Sequence, residues 1–475
     1  MSKYRSKSVG TKTINRAGGE AFKQSTKLEL VSLLLTSFMS DKFYESETEQ
    51  VERLRDLIGG LDDKKFVAKS LIYARNEFGM RSVTHVGTAE LCRVVKGEEW
   101  LKNAIAKIIR RADDPLEILG YWNNTYDEPI PNALKKGLAL AIHKFDAYQL
   151  AKYKGSKSDV KMVDLFNVVH PKPETPEEEK LFESLMTGTL SPAETWEVKI
   201  SEAGKTEDVE ASKAEAWASL IAEHKLGYFA LLRNLRNLLL QANSETVNKA
   251  LEVLVNENLI KKSLVLPFRF ATAYDLISNE FPDRRDVLKA INKAMEISLA
   301  NCPKLSGRTL VALDTSGSMQ GKPGEIGALF AAVLVKTNDC DYISFSSDAE
   351  YFHISPDDSL ATIRKNIKET FYCGGTNFHA IFKTAKKAYD RIIILSDMQG
   401  WMGFKAPTGS FEDYKRRFNC NPFIYSFDLN NYGDMQFSEN KVLCLAGFSD
   451  KIFKVMEIVE KDRQALINEI NDIEI

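Results

Sequence analysis

Asp314, Ser316 and Ser318 place one carboxylate and two hydroxyls at alternate positions of a D-x-S-x-S loop. Such a set of hard oxygens suits Mg²⁺, which wants octahedral oxygen ligation and keeps several of its waters. Two further loops carry oxygen donors. Gly374-Gly375-Thr376 offers a hydroxyl at the start of a predicted helix, and Ser396-Asp397 ends a predicted strand. Asp314, Ser316, Ser318, Thr376 and Asp397 are therefore the candidate ligands of a divalent cation; the alternative is a capped turn that holds no ion. His379, one turn beyond Thr376, is the nearby candidate for a general base, and packing or a partner contact explains it better. A Mg²⁺-dependent hydrolase therefore lacks a convincing base or nucleophile, and no catalytic residue is assigned.

These loops need strands to hold them. Thr309 to Leu313 is an apolar run leading straight into Asp314, and Glu325 to Leu334 reads as the helix that follows. Further strands are expected at Tyr342–Phe345, Arg391–Leu395, Pro422–Phe427 and Lys441–Leu445, with helical text between most of them. Near-continuous apolar strands alternating with helices predict a parallel, doubly wound α/β sheet covered on both faces. In that fold the three loops gather beyond the carboxyl ends of the strands. Residues 301–475 form this domain.

Residues 1–300 read differently, with helical periodicity and almost no strand signal. Val51, Leu54, Leu57 and Ile58 make an apolar stripe, and Phe66, Val67, Leu71 and Ala74 repeat it after Asp62-Asp63, a candidate cap. Helices are predicted near 83–95, 98–112, 114–122, 130–144, 212–225, 227–241, 244–257, 262–278 and 282–299. Short connections without a strict period predict an α-solenoid of irregular HEAT-like helical repeats. Residues 171–210 interrupt it with Pro171, Pro173 and Pro176, then Glu177-Glu178-Glu179. That stretch is either a long exposed excursion or an inserted short helical hairpin.

The net charge of −2 conceals an uneven distribution. Residues 1–170 carry 28 Lys+Arg against 22 Asp+Glu, whereas 171–210 carry 4 against 11. One cluster joins Lys135, Lys136, Lys144, Lys152, Lys154 and Lys157 with Tyr148 and Tyr153 and ends at His170. Lysines so spaced can contact phosphates and tyrosines can stack on unpaired bases, although a solvated lysine-rich face explains the same pattern. A second cluster, Arg233 and Arg236 with Asn237, lies on one face of an apolar helix and could meet nucleic acid or cap neighbouring helices. His170 precedes Pro171, which predicts extended backbone at a helix exit. No apolar run approaches the ~20 residues of a membrane span, and no secretory signal is visible at the start. Six cysteines without a C-x-x-C motif are expected to be free thiols in a reducing, cytoplasmic setting. No His/Cys spacing supports zinc.

The strand with D-x-S-x-S, the G-G-T and the strand-S-D resemble the von Willebrand factor A domain and its metal-ion-dependent adhesion site. The helical text is similar to the TROVE module of Ro-family RNA-binding proteins. It is carried by Asn132 to Gly137, Lys144 to Lys154, Val163 to Pro173, Phe229 to Asn237 and Leu266-Pro267-Phe268-Arg269. The resemblance implies that Ser316 and Ser318 ligate directly, Thr376 directly or through water, and Asp314 and Asp397 mostly through water. One coordination position would stay open for a partner's carboxylate. It further implies a monomeric ring in a ribonucleoprotein of noncoding RNA metabolism. Single-stranded 3′ ends of misfolded RNAs would thread the ring, Y-like RNAs would bind its basic outer surface, and an exoribonuclease or other RNA-processing protein could join. Lys152, Lys154 and His170 match residues of this kind, with Lys157 off by about one position. The acidic 171–210 stretch departs from the family and could shield part of the basic surface. The competing reading is an adhesion-type, metal-dependent protein-interaction scaffold with no RNA role.

Overall fold

The computed structural model describes residues 11–475 except 16, 24, 37–46, 154–158, 303, 404–406, 430–435, 438–441, 447–451 and 462–464. A hairpin not expected from the sequence, β1 (Thr11–Ile14) and β2 (Glu20–Lys23), comes first. Helices follow: α1 (Thr26–Thr36), α2 (Glu47–Gly60), α3 (Lys64–Asn76), α4 (Ser82–Val94), α5 (Trp100–Ile108), α6 (Asp114–Thr125), α7 (Asn132–Ile142), α8 (Ala147–Tyr153) and α9 (Met162–Val169). The arc continues with α10 (Pro176–Met186), α11 (Trp196–Ala203), α12 (Val209–Ala222), α13 (Tyr228–Gln241), α14 (Ser244–Leu254), α15 (Glu257–Ser263), α16 (Pro267–Glu280) and α17 (Arg285–Ser298).

Local chemistry explains the boundaries. Asp63 caps α3 by accepting the Phe66 N–H at 3.0 Å, as its position predicts. The helix expected over 262–278 begins only at Pro267, and a further short helix, α15, fills 257–263 before it. Leu264 turns left-handed at φ 54° and Pro267 restarts the chain at the first turn of α16, a break that apolar periodicity does not register. The 171–210 stretch is the helical alternative. Thr175 and Thr195 cap α10 and α11, Phe182 packs edge-on against Phe166, and Trp196 stacks on Trp217. Its acids are surface groups on helices anchored to the common core, and Glu178 accepts from His143 at 3.0 Å.

The α/β domain consists of β3 (Thr309–Asp314), α18 (Lys322–Thr337), β4 (Cys340–Phe345), β5 (Ala349–Phe352), α19 (Leu360–Lys368), α20 (Phe378–Thr384), β6 (Arg391–Ser396), α21 (Thr408–Phe418), β7 (Phe423–Asp428), β8 (Val442–Ala446), α22 (Ile452–Lys461) and α23 (Ala465–Asn471). The strand order is β5-β4-β3-β6-β7-β8. All neighbours are parallel except β5, which pairs antiparallel with β4. The wholly parallel sheet expected from the sequence is thus mixed, because the short turn between β4 and β5 cannot make the long crossover a parallel pair requires. Alternate residues of the central strands feed two cores. Val311, Leu313 and Ile393 join the core shared with the helical arc, and Leu310, Ala312 and Ile392 join the opposite one.

Both ends of the arc reach this domain. At the far end Phe268 packs on Phe330, Arg364 bridges to Asp275 at 3.2 Å, and Glu296 accepts the Leu360 N–H at 2.5 Å. At the near end Tyr73 donates to Glu469 at 2.6 Å, Lys69 donates to the Asn471 carbonyl, and Lys107 donates to the Glu474 carbonyl at 2.9 Å. Asn15 in the hairpin donates to the Gly400 carbonyl at 2.7 Å, which ties the hairpin turn to the α/β domain. The chain therefore closes into a ring. Ile470, fully buried on α23 next to Glu469 and Asn471, belongs to the core shared with the arc. Ile470→Asp places an unpaired charge there, a change costing about 3 kcal/mol or more. The expected result is a larger radius in solution scattering with the sheet still folded; an unchanged radius would rule out this latch.

Candidate functional site

Asp314 ends β3 and Asp397 follows the last residue of β6, its neighbour in the sheet. Strand order reverses between these two, and the crevice at such a switch point is where open α/β sheets bind ligands. Asp314 is fully buried. One of its oxygens accepts the Ser316 N–H at 2.9 Å, and the other accepts the Ser396 hydroxyl at 2.5 Å. The Ser316 and Ser318 hydroxyls lie 3.2 Å apart, Ser316 buried and Ser318 exposed. Backbone bonds lock the loops together: Gly317 N–H to Gly374 O at 3.2 Å and Cys373 N–H to Thr315 O at 2.9 Å. The Met402 N–H donates to the Thr376 carbonyl at 3.3 Å, tying the Thr376 loop to the one after Asp397.

Close approach accounts for the double glycine. A Cβ on Gly374 would lie 2.8 Å from Ser347 Oγ, and one on Gly375 would lie 2.9 Å from Met402 Sδ. Cys373 and Met398, both non-glycine, hold positive φ values of 56° and 58° beside these loops; such strain persists where surrounding contacts enforce it, often at functional sites. Tyr372 and Trp401 stand on the rim, 60% and 52% exposed. His379 lies 2.9 Å from Ser410 Oγ, and its other ring nitrogen packs against Gly403. The packing alternative fits it.

The donors fit a hard divalent cation. Burial pushes the Asp314 carboxyl up to about 7, the nearby Asp397 adds to the rise, and the hydrogen bonds from Ser396 and Ser316 oppose it. Among the described residues no basic side chain forms an ion pair with Asp314 or Asp397. Nor do three His, Cys, Asp or Glu side chains converge anywhere among the described residues, so a cation here would take mainly hydroxyls and water around two carboxylates. Asp428 was not singled out from the sequence. It ends β7 in register with Ser396 and is fully buried, and its signal was an acid directly following an apolar strand.

The lysine-tyrosine cluster is only partly assembled as expected. Lys135 is half-buried and Lys136 exposed on α7. Lys152 and Tyr148 are exposed on α8. Tyr153 accepts from Arg111 at 2.7 Å, and the Arg111 and Lys152 cations lie 5.2 and 5.6 Å from its ring centre. Arg111, which the sequence reading left out of this cluster, is also held by Asp113 at 3.0 and 3.1 Å. Lys144 is spent on the fold. Its ammonium donates to the Ala106 and Ile109 carbonyls, satisfying acceptors at the end of α5. Lys154 and Lys157 lie outside the described residues. His170 is exposed at the end of α9, but its backbone is left-handed (φ 47°, ψ 60°) instead of extended. Its N–H closes onto Phe166 O, and this helix-ending turn overrides the preference set by Pro171. On α13 Arg233 is exposed, and Arg236 bonds Glu280 at 2.5 Å.

Residues 186–298 match the TROVE domain, and residues 308–458 match the Ro60 vWA domain. The chain is 23% identical over 340 residues to RNA-binding protein RO60 of Deinococcus radiodurans, across 61% of this chain and 64% of that protein. The match therefore spans just under two thirds of the relative's length. The crystal structure of the Deinococcus radiodurans RO (RSR) protein superposes with a TM-score of 0.63 at 18% identity, covering 90% of this chain and 97% of the other. The chain thus joins a TROVE domain to a C-terminal Ro60-type vWA domain. Its TROVE match takes in Arg233, Arg236 and the Leu266–Arg269 text, and it begins inside α10. The later part of the acidic 171–210 stretch, from residue 186 on, therefore lies within the TROVE match. The vWA match contains all five candidate metal ligands.

Proposed function

We propose that this chain is a ring-shaped, non-enzymatic, Ro-like RNA-binding protein of noncoding RNA quality control. It takes single-stranded 3′ ends of structured or misfolded RNAs and holds Y-like small RNAs in a ribonucleoprotein. The observation that carries this reading is closure: one α/β domain seats both ends of the helical arc, through Arg364–Asp275 and Tyr73–Glu469. A closed ring selects a free strand end by threading, which a flat basic face cannot do. The TROVE match and a relative named as RNA-binding support it. Lys135, Lys136, Lys152, Arg111 and His170 would meet the outer phosphates, with Tyr148 available to stack. A monomeric state and a cytoplasmic setting belong to the same reading, the five described cysteines being free thiols. No helix among the described residues is long and apolar enough to cross a membrane.

The vWA loops would hold Mg²⁺ through Ser316, Ser318 and Thr376, with Asp314 and Asp397 behind water. The ion would supply an open position for a partner's carboxylate, the partner class being an exoribonuclease or another RNA-processing protein. A structured RNA with and without a 3′ tail tests threading, since equal binding of the two would end it. Asp314→Ala separates RNA binding from metal-dependent adhesion. Mg²⁺ binding, read by calorimetry, is expected to drop at least about tenfold while RNA affinity holds. Loss of RNA binding in this variant, with the sheet intact by circular dichroism, would favour the adhesion site as the RNA contact.

A further inference from the structure

Helices α13 and α16 leave between them a groove of about 440 Å³ that the oxygen-donor loops do not use. Its walls carry Arg233, Arg236 and Arg269 and no carboxylate. Phe229 and Leu276, large apolar residues that folding usually hides, stand 41% and 42% exposed in it. The Arg233 and Arg269 guanidiniums lie 5.9 and 6.0 Å from the centre of the Phe229 ring, one from α13 and one from α16. Glu280 holds Arg236 in place from outside the groove. An inorganic anion has no use for an exposed aromatic ring and a leucine. A neutral apolar ligand has no use for the Arg233 and Arg269 guanidiniums. A flat aromatic group bearing a phosphate uses both, and the volume lies in the range of small-molecule sites.

We infer that this groove is a nucleotide subsite: the base stacks over Phe229 beside Leu276, and the phosphate is taken by Arg233 and Arg269. Two sources share that chemistry, a free nucleoside monophosphate and an unpaired residue of a single RNA strand. The second source rests on the RNA-binding reading above.

The experiment uses the full chain with AMP, adenosine, inorganic phosphate and a short oligoadenylate. Titration calorimetry is run on the wild type and on Phe229→Ala, Phe229→Leu and Arg233→Gln. Lys249→Ala, an exposed change on α14, serves as control. AMP or the oligonucleotide is expected to lose roughly tenfold in affinity in Phe229→Ala and Arg233→Gln. Phe229→Leu keeps the apolar volume and should lose nearly as much; adenosine and phosphate alone should bind more weakly than AMP. Loss confined to AMP assigns the subsite to free nucleotides, and loss confined to the oligonucleotide assigns it to RNA. If AMP binds through the groove and the oligonucleotide binds nowhere, the subsite stands and the RNA reading falls. If the oligonucleotide and AMP each bind with equal affinity to all variants, the RNA reading stands and the subsite is overturned. Binding of neither probe also overturns it, leaving an acidic peptide segment as the better occupant.

Discussion

Asp114→Ala is expected to destabilise the near half of the helical arc by about 3 to 5 kcal/mol, the cost of stripping one partner from a buried charged network. Asp114 is fully buried and accepts five hydrogen bonds. They come from Arg75 at 2.7 Å, Arg81 at 3.1 Å, His85 at 3.0 Å, and the Arg110 and Arg111 N–H groups at 2.9 and 3.0 Å. Removing the carboxylate leaves Arg75, itself buried, without its counter-ion and two backbone donors without an acceptor. Burial alone would raise this carboxyl, but the His85 and Arg75 contacts outweigh it and hold Asp114 well below the usual carboxylate range. A depressed folded pKa means the stabilisation is complete above the unfolded value of about 3.9 and is lost as pH falls below it. Wild type and variant should therefore converge in acid. Urea unfolding followed by circular dichroism at neutral and acidic pH checks both points; a difference under about 1 kcal/mol at pH 7 would place the network among weak surface pairs.

The second large effect is on RNA affinity. If binding runs through phosphate neutralisation with little base reading, log K should fall with log salt at roughly −0.7 per phosphate contacted on a single strand. About six contacts would give a loss of roughly 10²- to 10³-fold between about 50 and 200 mM salt. Lys136→Ala and Lys152→Ala should each flatten the slope by somewhat under one unit, evenly across RNA sequences. Lys144→Met should instead lower stability while leaving the slope alone, because its ammonium already serves the end of α5. A filter-binding series over salt measures all three variants. A flat salt response would exclude electrostatic threading.

The oxygen-donor loops were legible because their chemistry is contiguous. D-x-S-x-S follows its strand directly, and the topology of parallel strands brings the G-G-T and S-D loops to the same edge. The Asp428 carboxylate at the same edge was legible in type, and only register with Ser396 put it there. Most helices were legible from apolar periodicity. The break at Leu264 was not, since a left-handed residue leaves no periodic trace. Nor was the β1–β2 hairpin, whose order depends on docking at Gly400, far along the chain.

The sequence by itself determined element types, the two-part architecture and the residues able to ligate a cation, because each rests on neighbours a few positions apart. Only the tertiary structure decided which charges remain for a ligand. Lys144 and Arg236 look alike in sequence to Lys152 and Arg233, yet packing turns the first two toward fixed partners. Closure of the ring was decided at the same level. It depends on α23 meeting α3 and α19 meeting the far end of the arc, and such long-range pairings are set by burial and not by local pattern.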